Sequence, residues 1–282
     1  MVKSPDFLAI GHVTKDLLSA GGHAVGGTVT YAALTAHNLG LSVAVLTSAP
    51  SDHDLSGTLR GVDLHVVPSL SATTFENIYE GQRRCQFVHG TASPLPTSQL
   101  PPAWKQAPIV LLGPLVGELG LEWLDVFPKA LVGVTPQGWM RQWDGYGRVT
   151  FKPWLEAQQI LSAVDVLVFS EEDVAGDEIL IRYYAGLARI ATVTRGWRGA
   201  TVFWNGSARD FPAFRAREVD PTGAGDVFAA AFLVRLKETS DPYQAAVFAN
   251  CTASFAIEGP GTTTIPTRQQ VEERLLLGEL YE

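Results

Sequence analysis

The sequence carries, from residue 219 to residue 234, the stretch Val219-Asp220-Pro221-Thr222-Gly223-Ala224-Gly225-Asp226-Val227-Phe228-Ala229-Ala230-Ala231-Phe232-Leu233-Val234. Small residues at positions 223 to 225 allow a ligand to approach the backbone closely. A helix that begins at about Asp226 would direct unsatisfied N–H groups and its positive dipole end toward the same point. Phosphate oxygens suit such a point, so this stretch predicts an anion site.

Asp226 adds a proton acceptor to this segment. Its carboxylate can accept the proton of a substrate hydroxyl while the amides of Gly223, Ala224 and Gly225 stabilise charge on a transferred phosphoryl group. The spacing leaves one alternative open, in which Asp226 caps the helix and the glycines form a tight turn. The segment therefore predicts either a phosphoryl-transfer site or a well-capped helix.

The overall composition is that of an acidic globular protein, with 46% hydrophobic and 18% charged residues and a net charge of -8. This balance argues against a nucleic-acid-binding surface, which depends on clustered Lys and Arg. No apolar run approaches the ~20 residues that span a bilayer, and no secretion signal is recognisable. The two cysteines, Cys85 and Cys251, and the six histidines lack the spacing of metal ligands. We therefore expect a cytoplasmic protein with no membrane or nucleic-acid partner.

Short β-prone runs alternate with helical stretches, which predicts an α/β fold: a three-layer, mostly parallel sheet with helices on both faces. The runs are Phe7–Ile10, Val43–Leu46, Ile109–Leu112, Leu131–Val134, Val166–Phe169 and Ala191–Thr194. One predicted helix covers Tyr31–Leu39 and is stopped by Gly40. Another has Asp241 as its N-cap and Pro242 at its first position, and it ends near Gly259.

One region interrupts this alternation. Two β-prone runs, Thr73–Tyr79 and Arg84–Val88, flank the turn Glu80–Arg83, which predicts an antiparallel hairpin. We expect all 282 residues to form one domain, with a lid contributed by about residues 12–25 and 71–92. Such a lid covers a bound substrate and excludes water.

Residues Asp220 to Phe228 resemble the carboxyl-terminal signature of the ribokinase-like family of carbohydrate kinases, also called the phosphofructokinase-B type. Further segments follow in the family's order, so the resemblance extends from about residue 6 to residue 266. It implies the family's fold and an ATP-dependent transfer of phosphate to a hydroxyl of a small sugar, inositol or nucleoside. It also implies magnesium as a cofactor, Asp226 as the base, and the residues from Gly223 to Asp226 as the anion hole.

The resemblance implies binding roles for residues elsewhere in the chain. Asp16, at the end of Gly11–Asp16, and the pair Gly26-Gly27 stand where the family binds substrate hydroxyls. A carboxylate after the first strand can accept hydrogen bonds from two hydroxyls, although a solvated Asp16 is the open alternative. The positions implied for nucleotide binding are Thr194, Gly196, Gly199, Asn250, Gly259 and Gly261.

Three places depart from the usual family pattern or refine it. Ser170-Glu171-Glu172-Asp173 stands where the family has Asn-x-x-Glu, a motif of its magnesium–phosphate network. We take Asp173 as the metal residue, with Glu172 as its competitor and an acidic helix start as the open alternative. Tyr31 replaces an Asn that hydrogen-bonds the sugar, so we expect a more apolar substrate wall. The stretch Thr135–Arg141 resembles one in inositol kinases, and Arg141 either contacts substrate or phosphate or is a solvated surface residue.

Two functions are therefore weighed: a kinase, and a non-catalytic small-molecule sensor on the same fold. The departures at Tyr31 and Asp173 favour the sensor, whereas the intact Gly223–Asp226 segment favours the kinase. A third function, a dinucleotide oxidoreductase, has the weakest support, because no Gly-x-Gly-x-x-Gly follows the first strand. The sequence leaves open the phosphate acceptor, a monomer or a homodimer, and potassium activation through backbone carbonyls near Asp220 and Gly259.

Overall fold

The computed structural model describes residues 3–19, 21–80 and 83–281. Its strands, in chain order, are β1 (Phe7–Ile10), β2 (Thr14–Leu17), β3 (His23–Gly26), β4 (Val43–Ala49), β5 (Asp63–Pro68), β6 (Thr73–Glu80), β7 (Arg83–Gly90), β8 (Ile109–Leu112), β9 (Leu131–Val134), β10 (Arg141–Trp143), β11 (Val149–Phe151), β12 (Val166–Ser170), β13 (Ile190–Thr194), β14 (Ala200–Trp204) and β15 (Ser207–Phe211). Its α-helices are α1 (Thr28–Asn38), α2 (Ala157–Ala163), α3 (Glu178–Leu187), α4 (Ala224–Thr239), α5 (Pro242–Ala256) and α6 (Arg268–Leu277).

Nine of the strands in the described ranges form one large sheet, in the order β15-β14-β13-β12-β9-β8-β1-β4-β5. The seven strands from β13 to β5 are parallel, and β14 and β15 add an antiparallel edge. The predicted α/β fold with a mostly parallel sheet is confirmed. The predicted runs at β1, β8 and β9 have the observed bounds, because strands buried on both faces are apolar at every position.

The side chains of each strand alternate between two cores, one on each face of the sheet. Phe7 and Ala9 of β1 pack with α1, α4 and α5, whereas Leu8 and Ile10 pack with α2 and α3. This alternation is the period of two that a β-strand imposes. Among the described residues, no helix combines the length and the apolarity that crossing a membrane requires.

Local capping explains the helix ends. The Asp241 carboxylate accepts the N–H groups of Tyr243 and Gln244, and α5 starts at Pro242 as predicted. The helix predicted over Tyr31–Leu39 begins three residues earlier, at Thr28, because the chain leaves β3 through a glycine that serves as the N-cap. The helix expected from about Asp226 begins two residues earlier, at Ala224, so Asp226 lies in its first turn.

A second sheet, β3-β2-β6-β7, stands at the carboxyl edge of the large sheet. Strands β6 and β7 pair antiparallel, which is the pairing predicted for the hairpin. The expected lid segments and turn include residues 20, 81 and 82, which lie outside the described residues. The chain passes from β1 to one side of the large sheet and later returns to β8 on the other side. Ligands of open α/β sheets bind at such a change of direction, and the small sheet stands beside it.

Candidate active site

The first turn of α4 places Asp226 beside a glycine with a left-handed backbone. Gly223 is the N-cap, with φ 78°. The Asp226 N–H donates to the Gly223 carbonyl at 3.0 Å, and the Ala224 N–H donates to the Pro221 carbonyl at 3.2 Å. Within the described residues, the N–H groups of Gly223 and Gly225 have no backbone acceptor. Of the four predicted amides, these two are therefore the ones that can donate to a bound phosphate.

The ring of Tyr31 packs directly on Gly223. A Cβ atom at position 223 would overlap the ring carbons of Tyr31, whose side chain is buried. The positive φ and the adjacent ring both require glycine at this position. Burial, followed by the negative charges of Asp16, Asp220 and Asp226, raises the pKa of the Tyr31 hydroxyl. This hydroxyl is therefore protonated at neutral pH.

Asp226 has an environment suited to proton transfer. Burial of its carboxyl raises the pKa to about 6. The neighbouring Thr28 hydroxyl and the Arg141 charge oppose this rise, whereas the charges of Asp173 and Asp16 add to it. A group with a pKa just below neutral is ionised at pH 7 and still accepts a proton readily. The charge on Arg141 thus acts on Asp226, which favours the site interpretation of Arg141 over the surface one.

A cavity of about 550 Å³ lies along the carboxyl edge of the large sheet, a size in the range of small-molecule sites. The predicted residues that line it are Asp16, Gly27, Tyr31, Arg141, Asp173, Thr194, Gly196, Gly199, Gly223, Ala224, Gly225, Asp226 and Asn250. Predicted residues that lie far apart in the sequence, from Asp16 to Asn250, are thus brought together in one cavity.

Three predicted residues are not in the cavity wall as the described residues form it: Gly26, Gly259 and Gly261. Gly26 lies behind Asp16, since a Cβ at position 26 would overlap the Asp16 carboxylate. The Gly261 N–H donates to the Asp220 carboxylate at 3.0 Å. This bond joins the loop at Gly261 to Asp220, in the segment that leads to Asp226, and the roles predicted for Gly259 and Gly261 stay predictions.

The small sheet forms one end of the cavity. Asp16 on β2 accepts a hydrogen bond from the Thr14 hydroxyl at 2.8 Å. On the neighbouring strands, the Gln86 amide N–H donates to the Asn77 side-chain oxygen at 3.0 Å, and both residues line the cavity with Phe75. Carboxylate and amide groups next to an aromatic ring are suited to a small molecule with hydroxyl groups on an apolar ring.

The opposite end of the cavity is aromatic and apolar. It is lined by Trp197, Ala213, Phe214, Ala253, Ile257 and Tyr281. The Asn250 side-chain amide donates to the carbonyls of Phe211 and Pro212 at 2.9 and 3.2 Å, which fixes the segment leading to Phe214. The Tyr281 N–H donates to the Ala213 carbonyl at 3.0 Å and holds the chain end against this wall. Such a surface is suited to a planar ring.

Acidic groups dominate the polar lining between the two ends. The ionisable residues in the described wall include the carboxyl groups of Asp16, Glu172, Asp173, Glu218 and Asp226 and the guanidinium of Arg141. An anionic phosphate donor therefore needs a divalent cation to approach this wall.

Asp173 and Glu172 are the side chains suited to hold that cation. The Asp173 carboxylate accepts the Ser170 N–H at 2.9 Å in a capping box, which orients it at the end of β12. Glu171 instead binds Arg195 at 3.0 Å and also binds Arg198. Within the described residues, no group of three or more His, Cys, Asp or Glu side chains could hold a metal. Magnesium bound by donor phosphates and water needs only one or two carboxylates, so the two residues fit.

The sequence interpretation missed several cavity residues. Asn77 and Gln86 lie on the predicted hairpin, and strand alternation from Phe75 would have placed Asn77 on the same face. Thr28 lines the cavity beside Asp226, and its buried hydroxyl lowers the pKa of that carboxyl. Trp197 falls within the predicted nucleotide segment, yet no local pattern distinguishes a cavity tryptophan from a packing one.

Comparisons with known proteins find similarity to carbohydrate and nucleoside kinases. The model of the pfkB family carbohydrate kinases matches residues 154–268. A cytidine kinase of Thermococcus kodakarensis is 26% identical over 254 residues, which cover 81% of this chain and 87% of that protein. Among solved structures, a pyrophosphate-dependent kinase in the ribokinase family, complexed with a pyrophosphate analogue and myo-inositol, is 26% identical. It superposes with a TM-score of 0.81 over 95% of this chain and 99% of that one.

An Arabidopsis thaliana ribokinase complexed with ribose and ATP shares the fold, with a TM-score of 0.75, 18% identity, and coverage of 96% of this chain and 99% of that one. The family match covers the segment that contains Asp173, Thr194 and Asp226, and the structural matches cover nearly the whole chain. Residues 154–268 are therefore similar to the pfkB family of carbohydrate kinases, and the chain has the fold of the ribokinase-family kinases.

Proposed function

We propose that this protein transfers the γ-phosphate of ATP to a hydroxyl of a small sugar, inositol or nucleoside. The observation that carries this proposal is the position of Asp226, with a pKa of about 6, between a hydroxyl-binding end and an aromatic end of one cavity. The acceptor binds beneath the small sheet, near Asp16 and Asn77. The nucleotide base binds against Trp197 and Tyr281, so its phosphates extend toward the start of α4.

Asp226 accepts the proton of the attacking hydroxyl as the new O–P bond forms. The bond between the γ-phosphorus and the β–γ bridging oxygen breaks, and ADP leaves with that electron pair. The N–H groups of Gly223 and Gly225, aided by the helix dipole, stabilise the charge on the transferred group. Magnesium, held through Asp173 and Glu172, would neutralise phosphate charge. Arg141 supplies the further positive charge on the acidic wall.

We further propose that the small sheet acts as a lid. The Val88 N–H donates to the Gly147 carbonyl at 2.8 Å, and Phe87 pairs with Arg148, so the lid is joined to the β10–β11 hairpin. Arg141 starts that hairpin. Closure over the acceptor would therefore also position Arg141 and exclude water from the transferred phosphate.

The donor has one specific alternative. The structural relative complexed with a pyrophosphate analogue is pyrophosphate-dependent. Pyrophosphate has no planar ring, so it would leave the wall of Trp197, Phe214 and Tyr281 uncovered, whereas a nucleotide base would stack on it. This difference favours ATP.

A screen with purified protein tests the function. Pentoses, hexoses, inositols and nucleosides are each incubated with magnesium and either ATP or pyrophosphate, and phosphorylated product is measured by mass spectrometry. We expect product that depends on both the acceptor and ATP. Product formed with pyrophosphate and not with ATP would show that pyrophosphate is the phosphate donor. Tight polyol binding in calorimetry, with no product from either donor, would instead establish the sensor.

The proposed base predicts a pH profile. Since only the ionised Asp226 accepts a proton, kcat/KM is expected to fall about tenfold per pH unit below roughly pH 6, where the carboxyl becomes protonated. Initial rates at subsaturating acceptor, with circular dichroism at each pH to verify folding, measure this. A kcat/KM that stays constant down to pH 4.5 in the folded protein would contradict the role of Asp226.

A further inference from the structure

A buried carboxylate lies at the base of the lid. Glu118 is 5% exposed, and it accepts three backbone N–H groups: that of His12 at 3.0 Å, that of Leu115 at 2.9 Å and that of Val116 at 2.8 Å. Burying a carboxylate away from water costs free energy, and hydrogen bonds to its oxygens offset that cost. Nothing in the proposed phosphoryl transfer uses Glu118.

The imidazole of His12 extends this network. Its Nε2 lies 2.9 Å from the Ser93 carbonyl oxygen and its Nδ1 lies 2.8 Å from the Thr73 hydroxyl. Because a carbonyl only accepts, Nε2 carries the hydrogen and Nδ1 accepts from the hydroxyl, provided that the ring is neutral. The Thr73 oxygen accepts the Ala92 N–H at 2.9 Å. Each polar side-chain atom in this series of hydrogen bonds, from Ser93 through His12 to Thr73, therefore has a defined partner.

These residues stand where the chain passes between the large sheet and the lid. His12 precedes β2, Thr73 begins β6, and Ala92 follows β7. The remaining passage is at Gly27, where a Cβ atom would come within 2.6 Å of the His12 carbonyl oxygen. All four passages of the lid therefore meet around the backbone or side chain of His12.

Glu118 is also connected to the acceptor end through Leu115. The Leu115 N–H is held by the carboxylate, and its side chain packs with Phe75 and Val88 of the lid while lining the cavity. We propose that Glu118 and His12 are positioning residues that fix the lid on the large sheet. They thereby determine where the lid residues that bind the acceptor lie in the cavity. The kinetic part of this proposal rests on the proposed kinase function.

Glu118→Gln tests the proposal, because the amide keeps the shape but directs an N–H group at the backbone N–H groups of Leu115 and Val116. One backbone N–H group is then left unsatisfied, which favours detachment of the lid from the large sheet by a factor of about ten or more in the equilibrium constant. We expect the acceptor KM to rise about tenfold, with kcat and the donor KM changed less than about twofold. Amide hydrogen exchange in β6 and β7 should accelerate about tenfold, while exchange in β8 and β12 stays unchanged. The matched control is Glu122→Gln, an exposed position four residues away, which should behave as wild type.

A folded Glu118→Gln protein with wild-type lid exchange and wild-type acceptor KM would overturn the proposal. A fall in kcat with unchanged lid exchange would overturn it as well. If Glu118→Gln does not fold, Thr73→Val should accelerate amide exchange in the lid, because it removes the hydroxyl that bonds His12 and Ala92. Thr73→Ser keeps that hydroxyl, so its lid should exchange at the wild-type rate. The exchange measurement needs no turnover, so a protein that phosphorylates nothing disproves the kinase function while the anchoring of the lid is still decided.

Discussion

Replacement of Asp226 by Asn is expected to lower kcat by about 100- to 10,000-fold, because general-base catalysis contributes a factor of about 10²–10⁴ and the amide cannot accept the proton. The variant should still bind donor and acceptor, since the N–H groups of Gly223 and Gly225 remain. Product formation by mass spectrometry and nucleotide binding by calorimetry measure the two effects separately. A drop in binding alone, with kcat retained, would show that Asp226 only positions ligands.

The same variant should raise the melting temperature at neutral pH. The pKa of Asp226 is 3.8 in its ordinary state and about 6 in the folded protein, so the folded state binds the proton more tightly. The stability from that proton is present below about pH 4 and is lost as pH rises through 6, where the buried charge opposes folding. Asp226→Asn removes this charge and should raise the melting temperature by ~2–4 °C at pH 7.5. Asp125→Asn, at an exposed position, should change neither activity nor stability.

Replacement of Gly223 by Ala is expected to lower both turnover and stability. A non-glycine residue with a left-handed backbone costs about 1–2 kcal/mol, and the added methyl would overlap the ring of Tyr31. Either α1 or the start of α4 must move, which displaces the N–H groups that we propose bind the phosphate. We expect at least about a 100-fold loss of kcat, the cost of losing one oxyanion donor. The melting temperature should also fall, as measured by calorimetry.

Gly225→Ala provides the matched stability control. Gly225 lies in the first turn of α4, and a Cβ atom there meets nothing within 4 Å. Its melting temperature should stay the same or rise, since alanine favours a helix by up to about 1 kcal/mol over glycine. A Gly223→Ala protein that melts and turns over like wild type would show that the contact with Tyr31 yields easily and that the left-handed backbone is not required.

The sequence predicted the parts of the fold that depend on continuous apolar patterns. Strands β1, β8 and β9 are buried on both faces, so they form continuous apolar runs that can be recognised in the sequence. The edge strands β5 and β15 are partly exposed and mix polar with apolar residues, so they carried no such signal. Their place in the sheet is decided by pairing with a neighbour, which a local pattern does not contain.

The candidate site divides in the same way. Asp226 and Thr194 follow local motifs, and the structure brings both to one cavity, although their roles remain predictions. Gly261 also follows a local motif, yet its N–H donates to Asp220 and the residue does not line the cavity. Gln86 enters the cavity only because β7 pairs with β6 in the observed register. Contacts between distant segments decided these cases.

The packing of Tyr31 on Gly223 is a contact between two distant parts of the chain that both line the cavity. Residues 14–86 build one end and residues 194–281 build the other, with Arg141 between them. A chimera that takes its amino-terminal part from one relative and its carboxyl-terminal part from another would therefore need to match this pair, together with the other contacts between α1 and the carboxyl-terminal helices. An aromatic ring at position 31 would require glycine at position 223. A small side chain at position 31 would remove the steric part of that requirement and leave space next to residue 223.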